Sequence, residues 1–215
     1  MPTVVLARLC TPYVSDFPVS GAAISTIGSS FAGETVAASD PVAARLDEIQ
    51  LDLGEGPGWD AVRSRRPVLV DDVRESTPRW PLFADEATRI PVDAVYAFPL
   101  RVGGLDVGVV DLYNRSPGPL PSSVIDGIRR RTTATALELV AQVLVGSDTD
   151  ESGNPHSRRV IHQATGMIVA RDQCSPGDAL LLLRAHAFTL GRSVAALAEE
   201  IADRRSGFPP PPLET

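Results

Sequence analysis

Short runs of apolar and β-branched residues in the first two thirds of the sequence predict β-strands. Residues 22–29 and 34–38 form one pair of runs, and residues 93–102 and 105–113 form a longer pair. A Gly-Gly dipeptide separates the longer runs. Glycine tolerates the positive φ values of a two-residue turn, so the pattern predicts an antiparallel hairpin.

The first strand of this hairpin is apolar at both alternating positions. One set of alternate residues is Val95, Ala97 and Pro99, and the other is Tyr96, Phe98 and Leu100. A strand that is apolar on both faces is covered on both faces. We expect helices on one face and loops that enclose a pocket on the other.

Helical patterns separate and follow these strands. Helices are predicted over residues 41–50, near Trp59, over 79–89 and over 122–145, with a short strand at 67–70.

The polar, acidic segment 146–154 has no apolar periodicity and predicts a linker. Three further helices are predicted beyond it: one over 155–170, one starting at Ser175-Pro176, and one starting at Ser193. Serine is a good N-cap, and proline suits the first helical position.

The predicted fold class is therefore α+β. A first domain over residues 1–145 has an antiparallel sheet flanked by helices. A linker over 146–154, a three-helix bundle over 155–207 and a proline-rich tail over 208–215 follow it.

Charge is unevenly distributed along the chain. The net charge is −7, but residues 151–205 contain 7 arginines against 6 acids, whereas residues 1–150 contain 13 against 20. A polyanionic partner would therefore prefer the helical part. The chain has no lysine, no recognisable secretion signal, no membrane-spanning run and only two cysteines, which favours a cytoplasmic protein without a disulfide framework.

Several kinds of chemistry are disfavoured in the first domain. All three histidines follow the linker, so this domain has no histidine for haem ligation or general base catalysis. The loop 54–58 (GEGPG) is rich in glycine, but its glutamate and proline are unusual in a phosphate cradle. We predict no cofactor, no metal site and no enzymatic activity.

The first helix of the bundle has two distinct faces. Val160, Ala164 and Ile168 lie on the predicted core face, whereas Gly166 lies opposite, near Arg159 and His162. A glycine within a helix costs about 1 kcal/mol relative to alanine. This glycine is either a tolerated cost or a place where another molecule approaches the backbone closely.

The last two helices leave a second interpretation open. Residues 187–198 have some character of a helix-turn-helix, which would favour DNA binding. The outer face of the last helix carries Glu199, Glu200 and Asp203, whose charges would repel phosphate.

Three motifs are characteristic of the helical part: residues 162–167 (HQATGM), 183–188 (LRAHAF) and 192–194 (RSV), followed by Leu197, Ala198 and Ile201. With these motifs the helical part closely resembles an ANTAR domain of the actinobacterial type. Four further motifs lie in the preceding part: residues 53–57 (LGEGP), 67–71 (PVLVD), 98–102 (FPLRV) and 108–113 (GVVDLY). Through these motifs that part resembles a GAF domain.

This resemblance implies a regulator in which the GAF-like domain senses a small molecule or a protein signal. The ANTAR-like domain would bind hairpin loops in nascent RNA and prevent transcription termination, commonly as a homodimer. Related chains often have a cysteine where this one has Gly58 and Trp59, so redox sensing there is disfavoured. Cyclic GMP binding of the known GAF type needs a lysine, which this chain lacks.

Two sets of site residues follow. The predicted RNA-binding residues are Arg159, His162, Gly166, Arg171, Arg184 and Arg192, and the predicted pocket residues are Trp59, Tyr96 and Phe98. The alternatives are a DNA-binding regulator, a sensing or dimerisation module that contacts only proteins, and an enzyme on a GAF-like scaffold.

Overall fold

A computed structural model describes residues 3–28, 31–146, 155–190 and 192–203. The chain divides into two compact units, Met1–Gly153 and Asn154–Thr215. The predicted linker lies outside the described residues except for Gly146, and so does the predicted proline-rich tail. None of the helices within the described ranges is long and apolar enough to cross a bilayer.

The N-terminal unit is built on a five-stranded antiparallel sheet with strand order β2-β1-β5-β4-β3. The predicted hairpin pairs β4 with β5 through the Gly-Gly turn. The strands are β1 (Gly21–Gly28), β2 (Phe31–Ala38), β3 (Val68–Val70), β4 (Ala94–Val102) and β5 (Leu105–Asn114). The helices are α1 (Thr3–Asp16), α2 (Pro41–Leu53), α3 (Pro57–Ser64), α4 (Pro81–Ala87) and α5 (Ser122–Gly146), with a 3-10 helix at Val73–Ser76.

Helices cover both faces of this sheet. Helices α1 and α5 pack on one face, around alternate β4 residues that include Tyr96, Phe98 and Leu100. Helices α2, α3 and α4 cover the other face, where sequence analysis predicted loops. The helices themselves were predicted, but the prediction of loops on this face was wrong, because local periodicity does not show which face of a sheet a helix covers.

The C-terminal unit consists of α6 (Pro155–Asp172), α7 (Pro176–Thr189) and α8 (Val194–Ala202). Val160, Ala164 and Ile168 of α6 lie in its core, as predicted, and pack against apolar residues of α7 and α8. Ser193 caps α8 by accepting a hydrogen bond from the Ala196 amide at 3.2 Å. This local signal is why the start of α8 was predictable.

Candidate functional sites

Polar side chains are buried between the sheet and α2. Asp47 and Gln50 of α2 face Ser25 of β1, Thr35 of β2 and Asp111 of β5, and we call these five residues the buried polar cluster. Thr35 Oγ1 donates to Asp47 Oδ2 at 2.5 Å, and Gln50 Nε2 donates to Asp111 Oδ2 at 3.0 Å. Asp111 lies here because β5 alternates, so it shares the α2 side of the sheet with Val109 and Tyr113.

The cluster is not fully satisfied. Ser25 Oγ, Asp47 Oδ1 and Asp111 Oδ1 are buried and have no hydrogen-bond partner among the described residues. Burial raises the pKa of Asp47 to about 6. Burial, and then the charge of Asp47, raises the pKa of Asp111 well above its usual value. Both carboxyl groups therefore keep their protons to a higher pH than an exposed aspartate does. Within the described residues, no group of three histidine, cysteine or acidic side chains is placed to hold a metal ion.

The glycine-rich loop packs its backbone against this cluster. The Gly58 amide donates to Gln50 Oε1 at 2.7 Å, and a Cβ at Gly58 would lie 2.9 Å from Asp111 Oδ2. Gly54 and Gly56 adopt positive φ values of 68° and 129°. Glu55 Oε1 accepts the amides of Leu82 and Phe83, both at 2.9 Å, at the start of α4. The loop thus joins α2, α3 and α4 through backbone and carboxylate contacts.

A cleft of about 670 Å³ opens beside the same loop. Its lining includes Ile27, Trp59 and Val62 on the apolar side and Arg63, Arg65 and Asp106 on the charged side. We call this space the cleft. The Trp59 indole is fixed in its wall, because its Nε1 donates to the Gln50 carbonyl at 2.7 Å.

The structure does not bring the three predicted pocket aromatics together. Trp59 lines the cleft, whereas Tyr96 and Phe98 are each 1% exposed and pack on the α1 and α5 side of the sheet. Tyr96 and Phe98 alternate with Ala97, which packs on the Trp59 side. The even positions of β4 therefore lie on the opposite face from the cleft.

In the C-terminal unit, the predicted glycine lies on an open surface. His162, Gly166 and Ala170 are exposed along one side of α6, and we call these residues the α6 outer row. A Cβ built at Gly166 meets nothing within 4 Å. Arg159 belongs to the same side by its position in α6, and its side chain lies outside the described residues.

The other predicted arginines have different surroundings. Arg171 lies about 140° around α6 from Gly166, and its guanidinium pairs with Asp172 at 2.6 Å. Arg192 pairs with Glu200 of α8. Arg184 is half-buried on α7. The structure thus groups His162 with Gly166, and it places the three later arginines in separate settings.

These two units match known domain families. A sequence profile described as "GAF domain" matches residues 5–144, well over half of the chain. The chain belongs to the GAF domain family. A second profile, described as "ANTAR domain", matches residues 153–201. The chain therefore has the two-domain architecture of a GAF-ANTAR regulator, as the sequence motifs indicated. No curated protein matches the sequence.

Solved structures resemble the GAF domain at low sequence identity. The GAF domain region of a Geobacter sulfurreducens PCA protein is 15% identical with a TM-score of 0.52, covering 65% of this chain and 92% of that one. The GAF3 domain of Slr1393 from Synechocystis sp. PCC6803 is 14% identical with a TM-score of 0.51, covering 69% and 99%. A type II free methionine-R-sulfoxide reductase from Thermoplasma acidophilum is 15% identical with a TM-score of 0.50, covering 64% and 92%. These likenesses show the GAF fold alone.

Sequence analysis missed two groups within the GAF domain. One is the buried polar cluster, whose only local signal is an acid within the apolar run 109–113 (VVDLY). The other is the charged side of the cleft, where Arg65 ends α3 with a left-handed backbone at φ 57°. The sequence does not indicate that a non-glycine residue will adopt this conformation.

Proposed function

We propose that this chain is a signal-responsive regulator of transcription termination that acts in the cytoplasm. Its ANTAR domain would bind hairpin loops in nascent RNA, and its GAF domain would sense a ligand at the cleft. The observation that carries this proposal is the presence of both domains in one chain.

The α6 outer row is the surface we assign to RNA. Hairpin loops present unpaired bases and closely spaced phosphates, so a helix without a side chain at one position can approach them closely. Gly166 provides that position, and His162 lies one turn before it. Arg159, Arg171, Arg184 and Arg192 are proposed as phosphate contacts. Arg171 and Arg192 would first have to exchange their carboxylate partners for phosphate.

Replacing Gly166 by alanine separates folding from binding. We expect Gly166→Ala to raise the unfolding free energy by up to about 1 kcal/mol, since alanine is the better helix former. The added methyl meets open space in the protein. RNA affinity should nevertheless fall, because the methyl occupies the approach path of the RNA. Thermal melts and hairpin titrations at two salt concentrations measure both effects.

Gly177→Ala is the matched control, because Gly177 is also an exposed helical glycine with only an ordinary contact near its Cβ. It should leave RNA affinity unchanged.

Arg159→Ala should weaken RNA binding and flatten its salt dependence, since one phosphate contact is lost. Wild-type affinity in Gly166→Ala and Arg159→Ala alike would remove the α6 outer row as the RNA surface.

The alternative of duplex DNA binding through α7 and α8 is disfavoured by the charge of that surface. Glu199 of α8 and Asp203 directly after it are exposed, and the Arg192 guanidinium pairs with Glu200. This acidic face disfavours contact with a phosphate backbone. Preference for a duplex over a hairpin in direct competition would favour DNA binding instead.

An enzymatic role is less well supported. A thiol-dependent activity of the GAF domain would need an accessible thiolate. Cys10 is buried, and burial raises its pKa to about 12. We therefore infer that Cys10 supports no thiol-dependent catalysis, and we assign a sensory role to this domain.

We further propose that the chain forms a homodimer through α5 and α7. Leu137 of α5 is 52% exposed and Leu181 of α7 is 64% exposed, with Leu182 and Leu190 also exposed. Binding a second copy of the chain would bury these exposed leucines in an interface between the two copies.

Light scattering at micromolar concentration should give about twice the chain mass of 22.8 kDa. The double variant Leu137→Gln, Leu181→Gln should shift the mass to that of a single chain. Leu82→Gln, at an exposed leucine of α4, should keep the larger mass. A wild-type protein that scatters as a single chain would contradict the dimer.

A further inference from the structure

The cleft of the GAF domain has one apolar side and one charged side. Ile27, Trp59 and Val62 supply aliphatic and aromatic surface, and Arg63 and Arg65 supply guanidinium groups. Its volume of about 670 Å³ suits a molecule of metabolite size. The two sides together favour a ligand that is itself apolar at one end and charged at the other.

The charged side has an excess of positive charge. Asp106 accepts hydrogen bonds from Arg65 at 2.9 Å and from Arg101 at 3.0 Å, so one carboxylate lies between two guanidinium groups. The paired cations hold the pKa of Asp106 below its usual value. The same two-to-one pattern recurs at Asp60, which pairs with Arg63 at 3.1 Å and Arg79 at 2.8 Å.

This positive charge is local. Residues 1–150 as a whole contain 13 arginines against 20 acids, so the cleft differs in sign from the domain around it. Arg65 is also held in position through both its backbone and its side chain. Its backbone amide donates to the Val62 carbonyl at 3.2 Å, and its side chain is fixed by Asp106. A guanidinium fixed in this way is well suited to bind a carboxylate or a phosphate.

We propose that the cleft binds a small organic anion with an apolar body. The apolar part would lie against Trp59 and Val62, and the anionic group would bind Arg65 and Arg63. This inference rests on the proposed sensory function of the GAF domain, and it adds the chemical class of the ligand.

The test uses the full chain, labelled with ¹⁵N, and a matched pair of probes. Naphthalene-1-acetate carries the anionic group, and naphthalene-1-acetamide has the same shape without charge. The indole N–H signal of Trp59 reports on the cleft, while that of Trp80, buried beside Phe83, serves as an internal reference. The Trp80→Phe variant assigns the two signals.

We expect the acetate to shift the Trp59 signal and to bind about tenfold more tightly than the amide. Arg65→Asn should abolish most of this preference while keeping the fold, because asparagine tolerates the left-handed backbone at this position. Arg66→Asn, at the exposed neighbouring arginine outside the cleft lining, should bind both probes as the wild type does.

Two results would overturn the proposal, and they are distinguishable. Equal affinity for the two probes, unchanged in Arg65→Asn, would reject an anionic ligand and leave the cleft as a sensory site. An unshifted Trp59 signal with either probe would reject the cleft itself, and with it the sensory role placed there. Neither result would affect the RNA-binding proposal, which rests on the ANTAR domain.

Discussion

A Gly108→Ala protein is expected to lose about 3 kcal/mol or more of unfolding free energy. Gly108 lies in β5, where a Cβ would come within 2.0 Å of the Ser25 carbonyl oxygen in β1. The same Cβ would lie 3.0 Å from the Ser25 carbonyl carbon and from Thr26 Cα. All three atoms belong to the backbone, so no change of rotamer relieves the clash. Strands β1 and β5 would have to separate in the middle of the sheet.

Urea unfolding followed by circular dichroism measures this loss. Gly104→Ala is the matched control, because it makes the same change in the same hairpin where a Cβ meets nothing within 4 Å. Its unfolding midpoint should stay near that of the wild type. If both variants unfold at the wild-type midpoint, the close approach of β5 to β1 described above is incorrect.

Replacing Asp47 by asparagine should stabilise the protein above pH 6. Burial raises the pKa of the folded Asp47 to about 6, against 3.8 as its ordinary value. The pKa of Asp47 is higher in the folded state than in the unfolded state. Its contribution to the unfolding free energy is therefore fully present below pH 3.8 and is lost as the pH rises to about 6. The difference between the two pKa values corresponds to about 3 kcal/mol. Asparagine avoids this loss and still accepts the Thr35 hydroxyl.

Unfolding free energies of wild type and Asp47→Asn should be compared from pH 4 to pH 7. Their difference should be small at pH 4 and approach its full size above pH 6. Asp72→Asn should change the unfolding free energy in the opposite direction, because hydrogen bonds from Arg74 lower the pKa of the exposed Asp72. A wild type that is as stable as Asp47→Asn at pH 7 would show that Asp47 is not an unfavourable buried charge.

Local patterns were sufficient to predict most elements of both domains. The β4–β5 hairpin followed from its Gly-Gly turn, and the core face of α6 followed from its apolar spacing. These features depend on residues close in sequence, where periodicity and capping determine structure. The family resemblance added the domain architecture.

Long-range placement could not be predicted in the same way. Gln50 and Asp111 are 61 positions apart, and only the packing of α2 on β5 brings them into hydrogen-bond contact. The cleft likewise combines residues from β1, α3 and β5. The ion pair of Arg192 with Glu200 was also not evident, since an exposed arginine gives no sign of its partner in the sequence.

The open turn at Gly103 and Gly104 has a practical consequence. Nothing lies within 4 Å of a Cβ at either position, and Asp106 of the cleft follows only shortly after in the chain. Exposed hairpin tips of this kind tolerate inserted sequence. A fluorescent protein inserted between the two glycines should therefore leave the sheet intact, and given the ligand binding proposed for the cleft, this turn is a starting point for a genetically encoded biosensor.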